Sequence, residues 1–201
     1  MSDLRTQVES ERSGGDSATP ATNGMRVVCV AGPSDSGKTS LVERLVGRLS
    51  AAGPVGTVKS IHHDVELDRA STDTHRHRLA GADAVVGVTP RLTVTFEPRG
   101  KADPQPPSAE TWLDSGLART SAEAREWRAL EGILERFHRQ GYAYVLVEGF
   151  SSAPVPTIVV GDEDRRSVGG PVLGTGRDDV DDLVRAIQTA EPIEPAGAAS
   201  V

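Results

Sequence analysis

Three features are scarce in this chain of 201 residues: cysteine, long apolar runs and excess positive charge. The single cysteine, Cys29, excludes an internal disulfide and is typical of a small buried thiol. No apolar run approaches the roughly 20 residues that a membrane-spanning helix needs. The acidic, polar N-terminal stretch does not resemble a signal peptide. The net charge of −7 argues against a nucleic-acid partner, which clustered Lys and Arg would bind. We therefore expect a cytoplasmic protein that binds neither nucleic acid nor membrane.

The chain divides by composition into one folded body and two polar ends. Residues 1–24 are rich in Ser, Gly, Thr, Glu and Asp, and residues 190–201 in Pro, Gly and small side chains, so both are predicted to be disordered tails. Residues 25–189 then form a single nucleotide-binding domain of ordinary size. Within it, the proline-rich stretch 100–117 has no clear periodicity and is predicted to be an irregular insertion.

A phosphate-binding loop is the most informative motif that the chain does contain. Residues 32–39 read G-P-S-D-S-G-K-T and match the pattern G-x-x-x-x-G-K-[ST]. An apolar strand, 26–31, precedes the motif, and apolar residues at helical spacing follow it as far as Leu49. In this arrangement backbone N–H groups surround a polyphosphate at a helix N-terminus. Lys38 would then reach the β- and γ-phosphates, and the Thr39 hydroxyl would bind Mg²⁺. The sequence thus predicts a nucleoside triphosphate site.

The remaining pattern predicts an α/β fold with a mostly parallel sheet and helices on both faces. Strands are predicted at 54–59, 84–88, 92–96, 142–147, 157–160 and 172–173. One helix is predicted at 73–80. A second begins at a Thr120/Glu123 capping box and ends at Gly141, and a third begins after an Asp178 cap. The phosphate loop, Lys59, His62 and Glu148 each follow a strand. They should converge at one edge of the sheet, where such folds bind ligands.

Polar residues after two of these strands are candidates for the chemistry. Glu148, which follows four apolar residues, could hold Mg²⁺ or orient water, and Asp64 could do the same. Lys59 could neutralise phosphate charge. The histidines near 62–63 and 75–77 do not suit a transition-metal site, because helical residues two apart and extended neighbours both diverge. Of Arg76 and Arg78, at most one should face the nucleotide. The guanine-reading motif N-K-x-D is absent, so the residues alone leave guanine and adenine both open.

The ordered motifs resemble the MobB family, the molybdopterin-guanine dinucleotide biosynthesis adaptor proteins. The resemblance lies in G-P-S-D-S-G-K-T-S-L, V-K-S-I-H-H-D-V-E-L-D, D-T-H-R-H-R-L-A-G-A-D, and V-L-V-E-G-F followed by P-V-P-T-I-V-V, which span most of residues 26–162. The chain departs from the family at Ser60, where histidine is usual. It also departs at Ala70-Ser71-Thr72, where Pro-Gly-Lys is usual, so a phosphate contact from that loop is not expected.

The resemblance implies GTP and Mg²⁺ as ligands, slow GTP hydrolysis, a homodimer, and a MobA-type guanylyltransferase as partner. Whether the protein delivers GTP, molybdopterin or only itself to that transferase stays open. The expected catalytic residues are Lys38, Asp64 and Glu148, and the expected metal ligands are Thr39, Asp64 and Glu148. The expected nucleotide contacts are Gly32, Ser34, Asp35, Ser36, Gly37, Lys38, Thr39, Ser40, Lys59, His62, His63 and Arg76. Asp68 and Asp73 also fall on family positions.

Two other functions remain open at this level. A small-molecule kinase using ATP or GTP would share the phosphate loop, and Arg99, Lys101 and Arg119, in and next to the insertion, could then close over the phosphates as part of a lid. An interaction module with negligible turnover would instead use its nucleotide only as a switch.

Overall fold

The computed structural model describes residues 24–104, 111–114, 117–162 and 167–195. Residues 1–23 of the predicted N-terminal tail, 196–201 of the C-terminal tail, and 105–110 and 115–116 of the predicted insertion lie outside these ranges. The elements in chain order are β1 (Arg26–Ala31), α1 (Lys38–Leu49), β2 (Val55–Lys59), α2 (Asp73–Leu79), β3 (Val85–Val88), β4 (Thr93–Phe96), α3 (Ser121–Arg139), β5 (Tyr144–Glu148), β6 (Thr157–Val159), β7 (Val172–Thr175) and α4 (Val180–Thr189).

A five-stranded sheet in the order β2-β5-β1-β6-β7 forms the centre of the protein. All of its strand pairs are parallel. The α/β fold class with a mostly parallel sheet is therefore confirmed. Strand β5 lies between β1 and β2, so the chain that leaves β1 through α1 passes over β5 before it enters the sheet again.

Side chains alternate along β1 and supply a core on each face of the sheet. Val27 and Cys29 belong to the core that includes Trp127, Leu130 and Leu134 of α3. Val28 and Val30 belong to the other core, with Leu41, Leu45 and Leu49 of α1 and Leu183 and Ile187 of α4. Because apolar side chains cover both faces, the central strands are apolar throughout, as buried parallel strands are expected to be.

The antiparallel pair of β3 and β4 forms a separate two-stranded sheet. Its turn agrees with the predicted connection over residues 89–91, since the Thr89 hydroxyl accepts the Leu92 N–H at 2.9 Å and the Thr89 N–H donates to the Leu92 carbonyl at 2.8 Å. One face of β3 packs toward α2, where Val85 is buried. Val86 and Val88 on the other face are exposed. This hairpin stands apart from the site described below.

Two helix starts test the predicted caps. The Thr120–Glu123 capping box of α3 is present as predicted. The predicted Asp178 cap of α4 is wrong, because Asp179 caps the helix by accepting the Asp181 N–H at 2.8 Å. Asp178 turns back instead, and its carboxylate accepts the Thr175 N–H and hydroxyl. A turn residue that can bond to the preceding strand competes with capping the following helix.

Residues after α4 return to the start of the sheet. The Ile193 N–H donates to the Met25 carbonyl at 2.8 Å, and the two residues form an isolated antiparallel bridge. Pro195 is buried. The part of residues 190–201 that the structure describes is thus held against β1. Among the described residues, no helix is both long and apolar enough to cross a membrane.

Candidate functional site

The phosphate loop connects β1 to α1 at the carboxyl edge of the sheet. Gly37 caps α1 with φ of 92°, a left-handed conformation that glycine adopts without strain. At Gly32 a Cβ atom would lie 2.2 Å from the Val160 carbonyl oxygen, so the close approach of loop and β6 end requires glycine there. No side chain caps α1, and its first turn contains no acidic residue. The first N–H groups of α1 are therefore available to an anion.

Lys38 and Thr39 begin α1 directly after this loop. The Lys38 ammonium group donates to the Pro33 carbonyl at 2.5 Å and so folds back along the loop. Lys38 is half-buried and lines the cleft, so its ammonium group can exchange that carbonyl for a phosphate oxygen. The Thr39 hydroxyl points the other way, toward the end of β5.

Glu148 lies at the centre of a polar cluster under the loop. The Thr39 hydroxyl is 3.0 Å and 3.1 Å from its two carboxylate oxygens, and the Lys59 ammonium group is 2.5 Å from Oε1. The Glu148 side chain is only 11% exposed, whereas that of Lys59 is 57% exposed. A carboxylate buried to this degree needs charged or hydrogen-bonding partners, and these two residues provide them.

Sheet register explains how this cluster forms. Glu148 pairs with Val30 of β1 on one side and with Lys59 of β2 on the other. Side chains of paired residues in neighbouring parallel strands point to the same face, which brings the lysine to the carboxylate. The cluster therefore follows from β5 lying between β1 and β2.

The turn after β5 completes the edge of the site. Gly149 has φ of 94° and Phe150 has φ of 54°, so the chain makes a left-handed turn straight after the carboxylate. The Gly149 carbonyl accepts a hydrogen bond from the Cys29 thiol at 2.8 Å. Burial raises the pKa of the Cys29 thiol to about 12, which keeps it protonated and able to donate.

A cleft of about 710 Å³ opens over this edge. Most of the residues that the sequence indicates as nucleotide contacts line it. They are Gly32, Ser34, Asp35, Gly37, Lys38, Thr39, Ser40, Lys59, His62 and His63, together with Glu148. The volume lies in the range of sites that bind drug-sized ligands.

Three predicted site residues do not line the cleft. Ser36 turns behind the loop, where its hydroxyl is buried and has no hydrogen-bond partner in the described part of the chain. Asp64 is exposed, and the loop that follows β2 lines the cleft only as far as His63. The side chain of Arg76 is 73% exposed on α2, 3.5 Å from Asp73. Of the predicted metal ligands, the structure brings Thr39 and Glu148 together and leaves Asp64 apart.

The family-pattern residue Asp68 has a structural position. Its Oδ1 accepts hydrogen bonds from the hydroxyls of Thr72 and Thr74 at the start of α2. Nearby, Arg78 of α2 lies 2.5 Å from Glu66. The hydrogen bond from Arg78 lowers the pKa of the Glu66 carboxyl. These contacts hold the loop after β2 against α2. They give the acidic and hydroxyl side chains of this loop a structural role outside the cleft.

Sequence reasoning missed one wall of the cleft. This wall is lined by Ser60, Glu126, Phe150, Ser151 and Ser152. Glu126 belongs to α3, which is far in sequence from the motifs that line the rest of the cleft. Lys101 contacts this wall: its ammonium group is 2.5 Å from the Ser60 hydroxyl and 3.1 Å from Glu126 Oε1. It also lies 5.2 Å from the centre of the Phe150 ring. No local pattern marks Glu126, which is one of many charged residues on an amphipathic helix.

The residues present fit a Mg²⁺ ion. Two ligands at right angles on Mg²⁺, each about 2.1 Å from the metal, lie about 3.0 Å from one another. The Thr39 hydroxyl is 3.0 Å from Glu148 Oε1. A hard oxygen pair at this spacing, beside a helix start suited to phosphate, is the donor set that Mg²⁺ uses with nucleotides. In the described residues, no group of three His, Cys, Asp or Glu side chains forms a metal site of its own.

The parallel sheet with a glycine-rich phosphate loop after its first strand defines the class: this is a P-loop α/β protein. Comparison with known proteins shows which proteins the chain resembles. The family model for molybdopterin guanine dinucleotide synthesis protein B, MobB, matches residues 27–115. The crystal structure of Bacillus subtilis MobB has the same fold, with 19% identity and a TM-score of 0.53 over 83% of this chain and 100% of that one.

Curated relatives agree with this result. The molybdopterin-guanine dinucleotide biosynthesis adapter protein of Haemophilus influenzae is 27% identical over 173 residues, which are 86% of this chain and 79% of the relative. A putative adapter protein of the same name from Methanocaldococcus jannaschii is 40% identical over 75 residues, 37% of this chain and 31% of that relative. The resemblance to the MobB family is thus confirmed, and the chain is a relative of the MobB proteins.

Proposed function

We propose that this protein binds GTP with Mg²⁺ at the phosphate loop and acts in the cytoplasm as an adapter in the biosynthesis of molybdopterin-guanine dinucleotide. The observation that carries the nucleotide part is the uncapped start of α1 with Thr39 beside the buried Glu148. The adapter part is supported by the family match and by the name of the Haemophilus influenzae relative.

The charges in the cleft support a triphosphate ligand. The ammonium groups of Lys38 and Lys59 line it, and the Glu148 carboxylate is paired with Lys59 and Thr39. In the proposed complex, the loop N–H groups and Lys38 hold the phosphates, while Thr39 and Glu148 hold the metal. Magnesium would neutralise phosphate charge there. The charge that Mg²⁺ brings would also release Lys59 from Glu148, so that Lys59 could turn to the phosphates.

Hydrolysis at this site is expected to be slow. No arginine is found among the described residues that line the cleft, and an arginine near the γ-phosphate is what accelerates comparable sites by about 10³ to 10⁵. Asp64 lies outside the cleft, which leaves Glu148 as the only described carboxylate of the predicted catalytic set that lines it. An adapter that holds its nucleotide needs no faster turnover. We propose that the protein is at most a weak GTPase.

The proposed partners are a MobA-type guanylyltransferase and a second copy of this chain. The β3–β4 hairpin supports a protein partner, because Val86 and Val88 are 57% and 74% exposed on one face. Exposed apolar side chains that lie next to one another mark interfaces, whereas scattered ones do not. Light scattering of the wild type and of Val88→Lys tests the homodimer. A monomeric wild type would contradict it.

Calorimetry with GTP and ATP in the presence of Mg²⁺ tests the nucleotide proposal. GTP should bind more tightly than ATP. Lys38→Ala should weaken GTP binding by about tenfold to a hundredfold, as expected for loss of charged hydrogen bonds. Arg48→Ala is the matched control, since Arg48 is a cation of the same helix that pairs with Asp181 away from the loop. Tight ATP binding without GTP binding would contradict the adapter function.

One observation favours a small-molecule kinase as a second candidate. Lys101 belongs to the predicted insertion and contacts two residues of the cleft wall, Ser60 and Glu126, as a lid residue would. Limited trypsin digestion with and without nucleotide tests this function. Protection after Lys101 by Mg²⁺ and ATP, but not by GTP, would favour the kinase, and unchanged cleavage would count against it.

A further inference from the structure

The cleft has two ends of different chemical character. Its loop end carries the ammonium groups of Lys38 and Lys59 and the uncapped start of α1. Its other end is formed by Ser60, Glu126, Phe150, Ser151 and Ser152. We call this second set of residues the far wall. The loop end attracts a phosphate chain through Lys38 and the start of α1, whereas the Glu126 carboxylate of the far wall is paired with Lys101, so we expect the phosphates at the loop end.

Contacts behind it hold the far wall in place. Lys101 donates to the Ser60 hydroxyl and to Glu126 Oε1, and it lies above the Phe150 ring. The Trp127 indole N–H donates to the Ser152 hydroxyl at 3.2 Å. The Glu126 side chain remains 31% exposed, although it has an ion-pair partner. Its carboxylate can therefore accept hydrogen bonds from a ligand while Lys101 fixes its position.

We infer that the far wall binds the 2-amino-4-oxopyrimidine ring that guanine and pterin share, with Glu126 accepting hydrogen bonds from the ring N–H and the 2-amino group. This inference rests on the proposed function, whose product joins a pterin to a guanine nucleotide. A carboxylate is an acceptor with two oxygens and matches two adjacent N–H donors. The hydroxyls of Ser60 and Ser152 accept hydrogen bonds from Lys101 and Trp127, and each can still donate to a ring oxygen or nitrogen.

Analogues that lack the 2-amino group test this inference. GTP is compared with ITP by calorimetry, and pterin is compared with lumazine by fluorescence, each in the presence of Mg²⁺. The wild type should prefer the amino-bearing member of at least one pair by about tenfold or more, as a lost charged hydrogen bond implies. In Glu126→Gln and Glu126→Ala, that preference should fall to about twofold or less. A ratio of two affinities is unchanged when a variant is merely less stable.

Glu135→Gln is the matched control, because Glu135 lies on the same helix, pairs with Arg139 and does not line the cleft. It should leave both ratios unchanged. If Glu126→Gln lowers only the GTP-to-ITP ratio, the ring comes from the nucleotide itself. If it lowers only the pterin-to-lumazine ratio, the ring comes from a second ligand that binds beside the nucleotide. Both results support the inference.

Two results would overturn the inference. The first is a wild type that does not distinguish either pair, and the second is a preference that survives both Glu126 substitutions. If Lys38→Ala still abolishes nucleotide binding in that case, the proposed function stands and only the far-wall site is lost. A wild type that binds no nucleotide at all would remove the proposed function first.

Discussion

Replacing Gly149 by alanine tests whether the turn after Glu148 depends on glycine. Gly149 has φ of 94°, and a Cβ atom there would lie 2.5 Å from the Ser60 Cβ atom. The Ser60 Cβ atom is attached directly to a backbone that is held in place, because the Ser60 N–H donates a hydrogen bond to the Glu148 carbonyl at 2.8 Å. A change of the Ser60 side-chain rotamer therefore cannot relieve the contact. The substitution thus combines a strained backbone with a contact that the fold cannot easily relieve.

The magnitude follows from those two effects. A non-glycine residue in the left-handed region costs about 1–2 kcal/mol, and overpacking costs about 1–3 kcal/mol. Gly149→Ala should therefore lower the free energy of unfolding by about 2–5 kcal/mol. Because domains are stable by only about 5–15 kcal/mol, the loss would be large. Displacement of Ser60 should also disturb the hydrogen bond from Lys101 at the far wall.

Two other glycines separate the effects. Gly141 has φ of 76° with nothing within 4 Å of its Cβ position, so Gly141→Ala should cost about 1 kcal/mol from backbone strain alone. Gly132 lies within α3, also with open space, and Gly132→Ala should stabilise by about 0.5–1 kcal/mol. Urea unfolding followed by tryptophan fluorescence measures all three. If Gly149→Ala lowers the free energy of unfolding by no more than Gly141→Ala does, the contact with Ser60 does not add to the cost and the prediction is refuted.

Three further predictions concern the carboxylate cluster, the buried thiol and a helix cap. Glu148→Gln should not lower nucleotide affinity in EDTA, because it removes a negative charge and releases Lys59 from its ion pair, and it should remove the gain that Mg²⁺ brings, in a titration with and without metal; a retained gain would contradict metal binding by Glu148. Burial raises the Cys29 pKa from 9.0 to about 12, so stability should be lost as pH rises above 9. Compared with Cys29→Ala, the wild type should lose about 1.2 kcal/mol more of its free energy of unfolding between pH 9.5 and 10.5, and parallel curves would refute this. Thr120→Ala removes one half of the α3 capping box and should cost about 1 kcal/mol in denaturant unfolding, whereas Ser121→Ala should cost less.

Local signals made much of the fold predictable. The phosphate loop, the strands on either side of α1 and the capping box of α3 all depend on residues close in sequence, and the structure has each of them. The cap of α4 was not predictable, because Asp178 and Asp179 are both good caps. Only the position of β7 shows that Asp178 bonds back to Thr175.

The far wall could not be predicted for a different reason. Glu126, Phe150 and Lys101 come from three distant segments, and only the packing of α3 on the sheet brings them together. Asp64 shows the opposite failure: it sits inside a polar motif, yet the chain turns away from the cleft after His63. Motifs indicate which strand end carries chemistry, but not which side chains of the following loop point inward.

The order of the strands decides what Glu148 can do. If β5 lay at the edge of the sheet, Glu148 would have one neighbouring strand and could stay solvated. Between β1 and β2 it is nearly buried, and burial without a cation would be costly. Lys59, its register partner, provides that cation and is itself mostly exposed. The structure thus pairs a nearly buried carboxylate with a solvent-exposed lysine, which is an arrangement that the proposed binding of Mg²⁺ to Glu148 requires, because an exposed ammonium group can move away when the metal replaces it.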